Sequence, residues 1–462
     1  MATVIETIAD NGLCVGCGVC AGMCPKNLLS IQWNKYGEYN PVRISECGKE
    51  CGICLKVCPF ADGNPDEDEI GKLLFSATPG IKHKSETGYY LGSGVGAVSH
   101  PERRWHSASG GLATWFFEKL LDDGIADTIL CVKATGDSNR LFQFTLAKTK
   151  EEVYAAAGSA YYPVEMSDIV SYILKNPGNY AVIGLPCFIK ALRLAQKRNG
   201  VLQKRVVIMA GLTCGHLVSA HFIKYAAYCS GLPADAAYVR CRYKDPARPA
   251  EEYASLVTDI HGNTAPVVWN EVKLMQMWAH MFLGLHACDC CDDAVAECAD
   301  VTFMDAWLPE YSQNPLGTSL WISRSQTAED IFTQGITSGE LDAAPIPIEK
   351  VIESQVRTGV LARKRDQLHY RLDFMRNQGY AVPKKRVLPS SRPLSFSLRY
   401  MCKKDFQIQK LSRDVYLSCQ GDGAYMQKWF FDEMKDPLLI RGYFFSRSAF
   451  GYVVRKYGFW KK

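Results

Sequence analysis

Cysteine spacing carries the first chemical signal. Eight of the nineteen cysteines fall between Cys14 and Cys58, as Cys14-x2-Cys17-x2-Cys20-x3-Cys24-Pro25 and Cys47-x3-Cys51-x2-Cys54-x3-Cys58-Pro59. Four thiolates converging from different directions can hold an iron–sulfur cubane. A tightly turning CxxCxxC loop supplies three of them, and the fourth comes from elsewhere. Gly16, Gly18, Gly48 and Gly52 let the backbone bend and bring N–H groups toward sulfide. Zinc would call for two ligand pairs across a long spacer and does not account for two CxxCxxxCP endings. The odd cysteine total and the lack of a visible secretory signal argue against a disulfide framework.

The two runs resemble a bacterial two-cluster ferredoxin, in which the cysteine before proline crosses to the other cluster. That resemblance implies one [4Fe–4S] cluster on Cys14, Cys17, Cys20 and Cys58, and a second on Cys47, Cys51, Cys54 and Cys24. The extra residue between Cys47 and Cys51 lengthens a loop without removing a ligand.

Further cysteines stand at the ends of apolar runs: Cys187 in GLPC, Cys214 in GLTCGH, and Cys288, Cys290 and Cys291 in CDCCDD. Cys187, Cys214, Cys288 and Cys291 could form a third cluster, with Cys290 as a substitute. The other reading is inert buried thiols. Cys131, Cys229, Cys241, Cys402 and Cys419 sit in no motif and read as structural. Ser109-Gly110-Gly111 leads into an apolar-periodic stretch, so Ser109 is expected to cap a helix whose first N–H groups receive a phosphate. An ordinary capped helix is the plainer alternative. His106, His216 and Tyr161 are candidate proton donors, each with an alternative role as a structural hydrogen bonder.

Elements must position these groups. The stretch 111–124 reads as a helix with Leu112, Phe116 and Leu120 on one face. Strands are expected at 125–134, 180–187, 205–214, 256–262 and 301–307. Strands alternating with helices imply an α/β domain with a substantially parallel sheet, whose strand ends bind ligands. The expected organisation is a ferredoxin-like domain at 1–65, a linker at 66–100, an α/β domain at 101–385 and a C-terminal extension at 386–462. The fold class is thus α+β followed by α/β.

The chain has 462 residues, 47% of them hydrophobic and 22% charged, which excludes bulk disorder. No run of ~18 apolar residues suggests a membrane span. A net charge of +5 is too small to argue for nucleic acid. From Arg392 onward there are fourteen Lys or Arg against six Asp or Glu, with many aromatics. That extension reads either as a docking surface for an acidic protein or an anionic membrane, or as helices packing aromatics inward.

The order SGG (109–111), GSAY (158–161), GLPC (184–187), GLTCGH (211–216), CDCCDD (288–293), ADVTFMDAW (299–307) and GTSL (317–320) resembles the beta-subunit family of coenzyme F-420 hydrogenases and dehydrogenases. That family also includes 7-hydroxymethyl chlorophyll a reductase. The similarity covers about residues 1–370. It implies FAD in the α/β domain, with Ser109, Gly110, Gly111, Gly158, Ser159, Tyr161, Pro186 and Cys187 in the flavin region and an iron–sulfur cluster beside it. Ala160 stands where Lys is common, Leu185 where Thr is frequent, and Arg242-Tyr243-Lys244-Asp245 matches an RFRDK-like element only loosely. The implied function is an iron–sulfur flavin-dependent oxidoreductase, passing electrons from reduced ferredoxin through the clusters to FAD and an organic acceptor. The alternative is an electron-transfer subunit of a hydrogenase- or dehydrogenase-type complex, converting between one-electron clusters and a two-electron carrier such as coenzyme F-420. A reducing compartment, the cytoplasm, is expected for either.

Overall fold

The computed structural model describes residues 2–48, 51–233 and 235–434. Among the described residues fifteen strands run in chain order. They are β1 (Leu29–Trp33), β2 (Tyr39–Arg43), β3 (Lys82–Lys84), β4 (Gly88–Tyr90), β5 (Gly92–Val98), β6 (Thr128–Asp137), β7 (Arg140–Ala147), β8 (Tyr180–Gly184), β9 (Val206–Leu212), β10 (Ala236–Tyr243), β11 (Ala254–Asp259), β12 (Thr264–Val268), β13 (Val301–Asp305), β14 (Ser319–Ser323) and β15 (Leu341–Pro345). Eight form one sheet in the order β15-β5-β14-β13-β9-β8-β6-β7. Its middle, β13-β9-β8-β6, is parallel, and its flanks are antiparallel. The sheet is therefore mixed, where sequence alternation alone implied a largely parallel one. The helix Leu112–Asp122 lies where the sequence placed it, and a second helix, Pro186–Arg198, follows β8. Phe116 and Leu120 of the first are fully buried beneath the sheet residues Ile129, Ala210 and Phe303.

The expected linker at 66–100 is built structure. Asp66 caps the helix Glu67–Phe75 through a capping box with Glu69. Farther on, β5 lies inside the large sheet between β15 and β14. Its glycines hid it, because Gly is depleted in strands. Here they admit close neighbours: a Cβ on Gly94 would lie 2.1 Å from the Trp321 ring, and one on Gly96 would lie 2.2 Å from Ala343 Cβ.

The N-terminal domain, with the hairpin β1-β2, packs on the α/β domain rather than hanging from it. Val19, Cys20, Val57 and Cys58 share one apolar core with Val170, Phe188, Ile189 and Leu192. Gly18 and Gly22 allow this approach, since a Cβ on Gly18 would meet Ser167 N at 2.8 Å and one on Gly22 would meet Ser167 O at 2.6 Å. The segment after the last large-sheet strand returns to this junction. Lys384 N–H donates to Asp62 (2.9 Å), Lys385 pairs with Asp292 (3.2 Å), and Arg386 bridges Glu67, Asp68 and Glu297. The side chains of Lys385, Arg386, Asp292, Glu67 and Glu297 are buried, where an unmatched ion would cost several kcal/mol, so these five close only as a set.

The extension forms helices at Phe396–Ser418 and Gly423–Met434. Met401, Ile408, Met426 and Phe430 are buried against Trp269, Phe282 and Phe222. In these helices the inward-packing reading applies. The remaining aromatics from Tyr443 to Trp460 lie outside the described residues. Among the described residues, no helix is long and apolar enough to cross a membrane.

Candidate iron–sulfur and cofactor site

All nineteen cysteines are free thiols. A small apolar pocket is lined by Cys14, Cys17, Cys20 and Cys58 together with Val4, Ile8, Ile31 and Phe60. Burial pushes the Cys17 thiol up to about 11 and that of Cys58 to about 12, and raises Cys20 further, with neighbouring thiols adding to the effect at Cys58 and Cys20 and Glu165 at Cys17. The cysteine before Pro59 thus joins the first run. Cys54 has Cys47 and Cys51 as electrostatic neighbours. Cys24 Sγ accepts the Leu28 N–H at 3.3 Å. No three His, Cys, Asp or Glu side chains among the described residues converge as ligands of a single metal ion do. A cubane places each thiolate on a different iron, so its ligands need not meet that condition.

Cys187, Cys214, Cys288 and Cys291 come together from three places. Cys187 follows β8 at the start of the helix Pro186–Arg198, Cys214 follows β9, and Cys288 and Cys291 lie in and just after a short turn of helix, His286–Cys290. Burial raises the Cys187 thiol strongly, with Cys291, Cys214, Cys288 and then Cys17 adding to it. The group therefore stands next to the first N-terminal group. The Leu217 N–H donates to Cys288 Sγ at 3.2 Å, and the Lys364 ammonium donates to Cys291 Sγ at 3.0 Å. Cys290 is fully buried, its main electrostatic neighbours are Lys385, Asp289 and Arg371, and it is not among those of Cys187, Cys214 or Cys288.

Beside this group lies a cavity of about 1220 Å³. It opens at the carboxyl ends of the parallel strands, where open α/β sheets bind ligands. Val132–Gly136 of β6, Gly184 and Leu185 after β8, Thr213–His216 after β9, and Asp305 and Trp307 from β13 all line it. Cys214 is thus shared between the thiol group and the cavity wall. Gly158, Ser159 and Tyr161 line it too, their loop held by a bridge between Ser159 and Cys241 of β10. A register shift in β10 places Arg242 at a left-handed φ of 60°, and its guanidinium pairs with Asp305 at 3.0 Å.

Several expectations change here. Gly111, not Ser109, is the N-cap of Leu112–Asp122, with φ of 87°. The Ser109 hydroxyl donates to Thr318 O (2.9 Å), and the Gly110 N–H donates to Ser319 Oγ (3.0 Å). Gly110 therefore serves packing: a Cβ there would lie 2.5 Å from Gly96 O. The helix still presents Leu112, Ala113 and Thr114 at its positive end to the cavity. Gly110, Pro186 and Cys187 are not on the cavity wall, and neither is His106, whose ring stacks on Tyr154 at 4.3 Å. His216 is on the wall, packed against Trp278 at 4.1 Å. Burial, then Arg363 and Lys364, depress its pKa to about 3, so its imidazole is neutral and its Nε2 has no protein partner. Burial raises the Tyr161 pKa, with its hydroxyl bonded to Tyr253. Cys131 and Cys241, expected to be structural, both line the cavity. Sequence reasoning passed over Lys364, Trp278 and the Arg242–Asp305 pair.

FAD fits this cavity on three counts. The volume exceeds that of an ordinary small-molecule site. A helix N-terminus meets it, as a pyrophosphate requires. Thr213 Oγ1, His216 Nε2 and Arg242 Nε are buried on its wall without protein partners.

The family model of the coenzyme F420 hydrogenase/dehydrogenase beta subunit matches in two parts, the N-terminal part at residues 95–171 and the C-terminal part at 178–349. The chain belongs to this family. A 4Fe-4S dicluster domain matches residues 13–61, so the N-terminal domain is an iron–sulfur domain. Over 193 residues the family member is 26% identical to the coenzyme F420-dependent sulfite reductase of Methanocaldococcus jannaschii, covering 42% of this chain and 26% of that protein. It is 28% identical over 206 residues to an uncharacterized protein of the same organism, covering 40% of this chain and 54% of the relative. The chain thus spans about a quarter and about half of these relatives. A chain of the F420-reducing [NiFe] hydrogenase complex from Methanosarcina barkeri aligns with a TM-score of 0.48 and 17% identity, covering 63% of this chain and 96% of that one.

Proposed function

We propose that this family member is an iron–sulfur flavoprotein subunit that converts between single electrons and a two-electron organic carrier. One observation carries the reading. The thiols of Cys187, Cys214, Cys288 and Cys291 stand between the first N-terminal cysteine group, through Cys17, and the large cavity, through Cys214. The eight N-terminal cysteines hold two [4Fe–4S] clusters, and these four hold a third. Electrons enter at the N-terminal domain and leave at the cavity, or the reverse. When bound, FAD supplies the exchange between one- and two-electron chemistry. The chain's residues would hold it: the start of Leu112–Asp122 would receive its phosphates, Gly158–Tyr161 and Trp278 would wall it in, and neutral His216 would offer a hydrogen bond. A deazaflavin such as coenzyme F-420 is the two-electron partner, and a hydrogenase- or dehydrogenase-type subunit in the cytoplasm is the protein partner.

The test is anaerobic. The purified protein is assayed for iron and flavin, and its flavin spectrum is followed as reduced coenzyme F-420, NADH or reduced ferredoxin is added in turn. Bleaching by reduced F-420 is the expected result. Bleaching by ferredoxin alone would replace this reading with a stand-alone reductase. Absence of flavin from the freshly isolated protein would overturn the cofactor assignment.

A further inference from the structure

In the run Arg363-Lys364-Arg365, Lys364 is buried and both arginines are partly so. Both arginines find carboxylates: Arg363 pairs with Asp289 (2.6 Å) and Asp405 (2.9 Å), and Arg365 pairs with Glu297 (2.5 Å). Lys364 does not. It is 2% exposed, and its ammonium donates to Cys291 Sγ at 3.0 Å and to Asp293 O at 2.8 Å. Its other electrostatic neighbours include the thiols of Cys214 and Cys288 and, more distantly, the Asp293 carboxyl, whose oxygens accept the Val295 and Glu297 N–H groups. A buried ammonium needs negative charge close by. Among the described residues this one has no ion pair with a carboxylate, while three thiols of one four-cysteine group surround it.

We infer that Lys364 is the charge partner of the third iron–sulfur cluster and holds its reduction potential above that of the cluster on Cys14, Cys17, Cys20 and Cys58. The inference rests on the third-cluster reading given above. A [4Fe–4S] centre with four thiolates is anionic and gains one further negative charge on reduction. A fixed cation hydrogen-bonded to a ligand sulfur stabilises the reduced form more than the oxidised one, and net charge and hydrogen bonds to sulfur set such potentials. The first group has a different setting, a pocket lined by Val4, Ile8, Leu13, Ile31 and Phe60, and the cation nearest Cys58, Lys190, is already paired with Glu67 at 3.1 Å. An electron leaving the first cluster therefore comes to rest on the third, against the cavity wall. Lys364 lies beyond the residues that the family model matches, so this chain supplies the cation from its own C-terminal segment.

The experiment is a redox titration of the full-length protein, followed by electron paramagnetic resonance, with iron counted for each sample. Lys364→Met keeps the buried stem and removes the charge, and Lys364→Arg keeps the charge. The expected result is a third-cluster midpoint lowered at least tenfold in the reduction equilibrium of Lys364→Met, ~59 mV for one electron. Lys364→Arg stays near the wild type, and the two N-terminal signals do not move. An unchanged third midpoint in Lys364→Met with full iron overturns the inference. Loss of about four irons from both variants would make Lys364 structural and overturn it as well. A wild-type protein with about eight irons rather than about twelve refutes the third-cluster reading itself, before any variant is made.

Discussion

Cys290 and Cys291 are neighbours with different surroundings. Cys291 faces three other thiols and Lys364, while Cys290 is fully buried beside Lys385 and Arg371. Cys291→Ala is expected to lower the iron content by about four per chain, and Cys290→Ala to leave it unchanged, as read by iron analysis. Lys244 gives a second prediction. Its ammonium nitrogen donates to the carbonyls of Arg104 and Ser109. Burial, then Arg104 and Arg242, depress its pKa from the ordinary 10.5 to about 7. Between about pH 7 and 10.5 the unfolded chain holds this proton and the folded chain does not. Folding stability then rises with pH across that window, relative to Lys244→Met. Denaturant midpoints of both proteins at pH 6.5 and pH 9 check the sign. Residues whose chemistry lies in local spacing were legible, as with the eight N-terminal cysteines. Lys364 was not, because a run such as RKR ordinarily marks a solvated face. Asp289, Asp405 and Glu297 hold its neighbours Arg363 and Arg365, and Cys291 and the Asp293 carbonyl hold Lys364 itself, all distant in sequence.

At the scale of elements, ligand-bearing turns follow strands that apolar runs announced, and the cavity lies where the order of those strands places it. β5 escaped because its periodicity is written in glycine. Gly92, Gly94 and Gly96 share one face of the strand, and Glu329, Trp321 and Ala343 occupy the space that side chains would take. Gly96→Val is expected to disturb the pairing of Gly96 with Ala343 and to cost about 1–3 kcal/mol, measured as a lowered denaturant midpoint. The start of Leu112–Asp122 was placed correctly and its cap was not. Gly111 takes the cap position in a left-handed conformation, and the Ser109 hydroxyl is committed to the Thr318 carbonyl instead. Only the tertiary structure supplies that competing acceptor.

At the scale of the whole molecule, the proposed electron route crosses a domain junction that sequence could not place. The N-terminal domain meets the α/β domain through Cys17 and Cys20 on one side and Phe188 and Ile189 on the other. Cys17→Ser is expected to remove about four irons while FAD stays bound, since the cavity wall contains no N-terminal residue. Electron delivery from an external one-electron donor to the flavin should slow at least tenfold in that variant, measured by anaerobic stopped-flow bleaching. Flavin lost together with the iron would mean that the two domains do not bind their cofactors independently.

The clasp made by Arg386 also sets an order of events at birth. It joins Asp68 to a residue 318 positions later. At a synthesis rate of ~5–20 residues per second, roughly 15–60 s pass between the emergence of its two halves. During that interval the cysteine loops are already outside the ribosome, while the clasp over their junction with the rest of the chain cannot yet close. Iron–sulfur delivery thus has a window timed by translation, and a slower ribosome widens it.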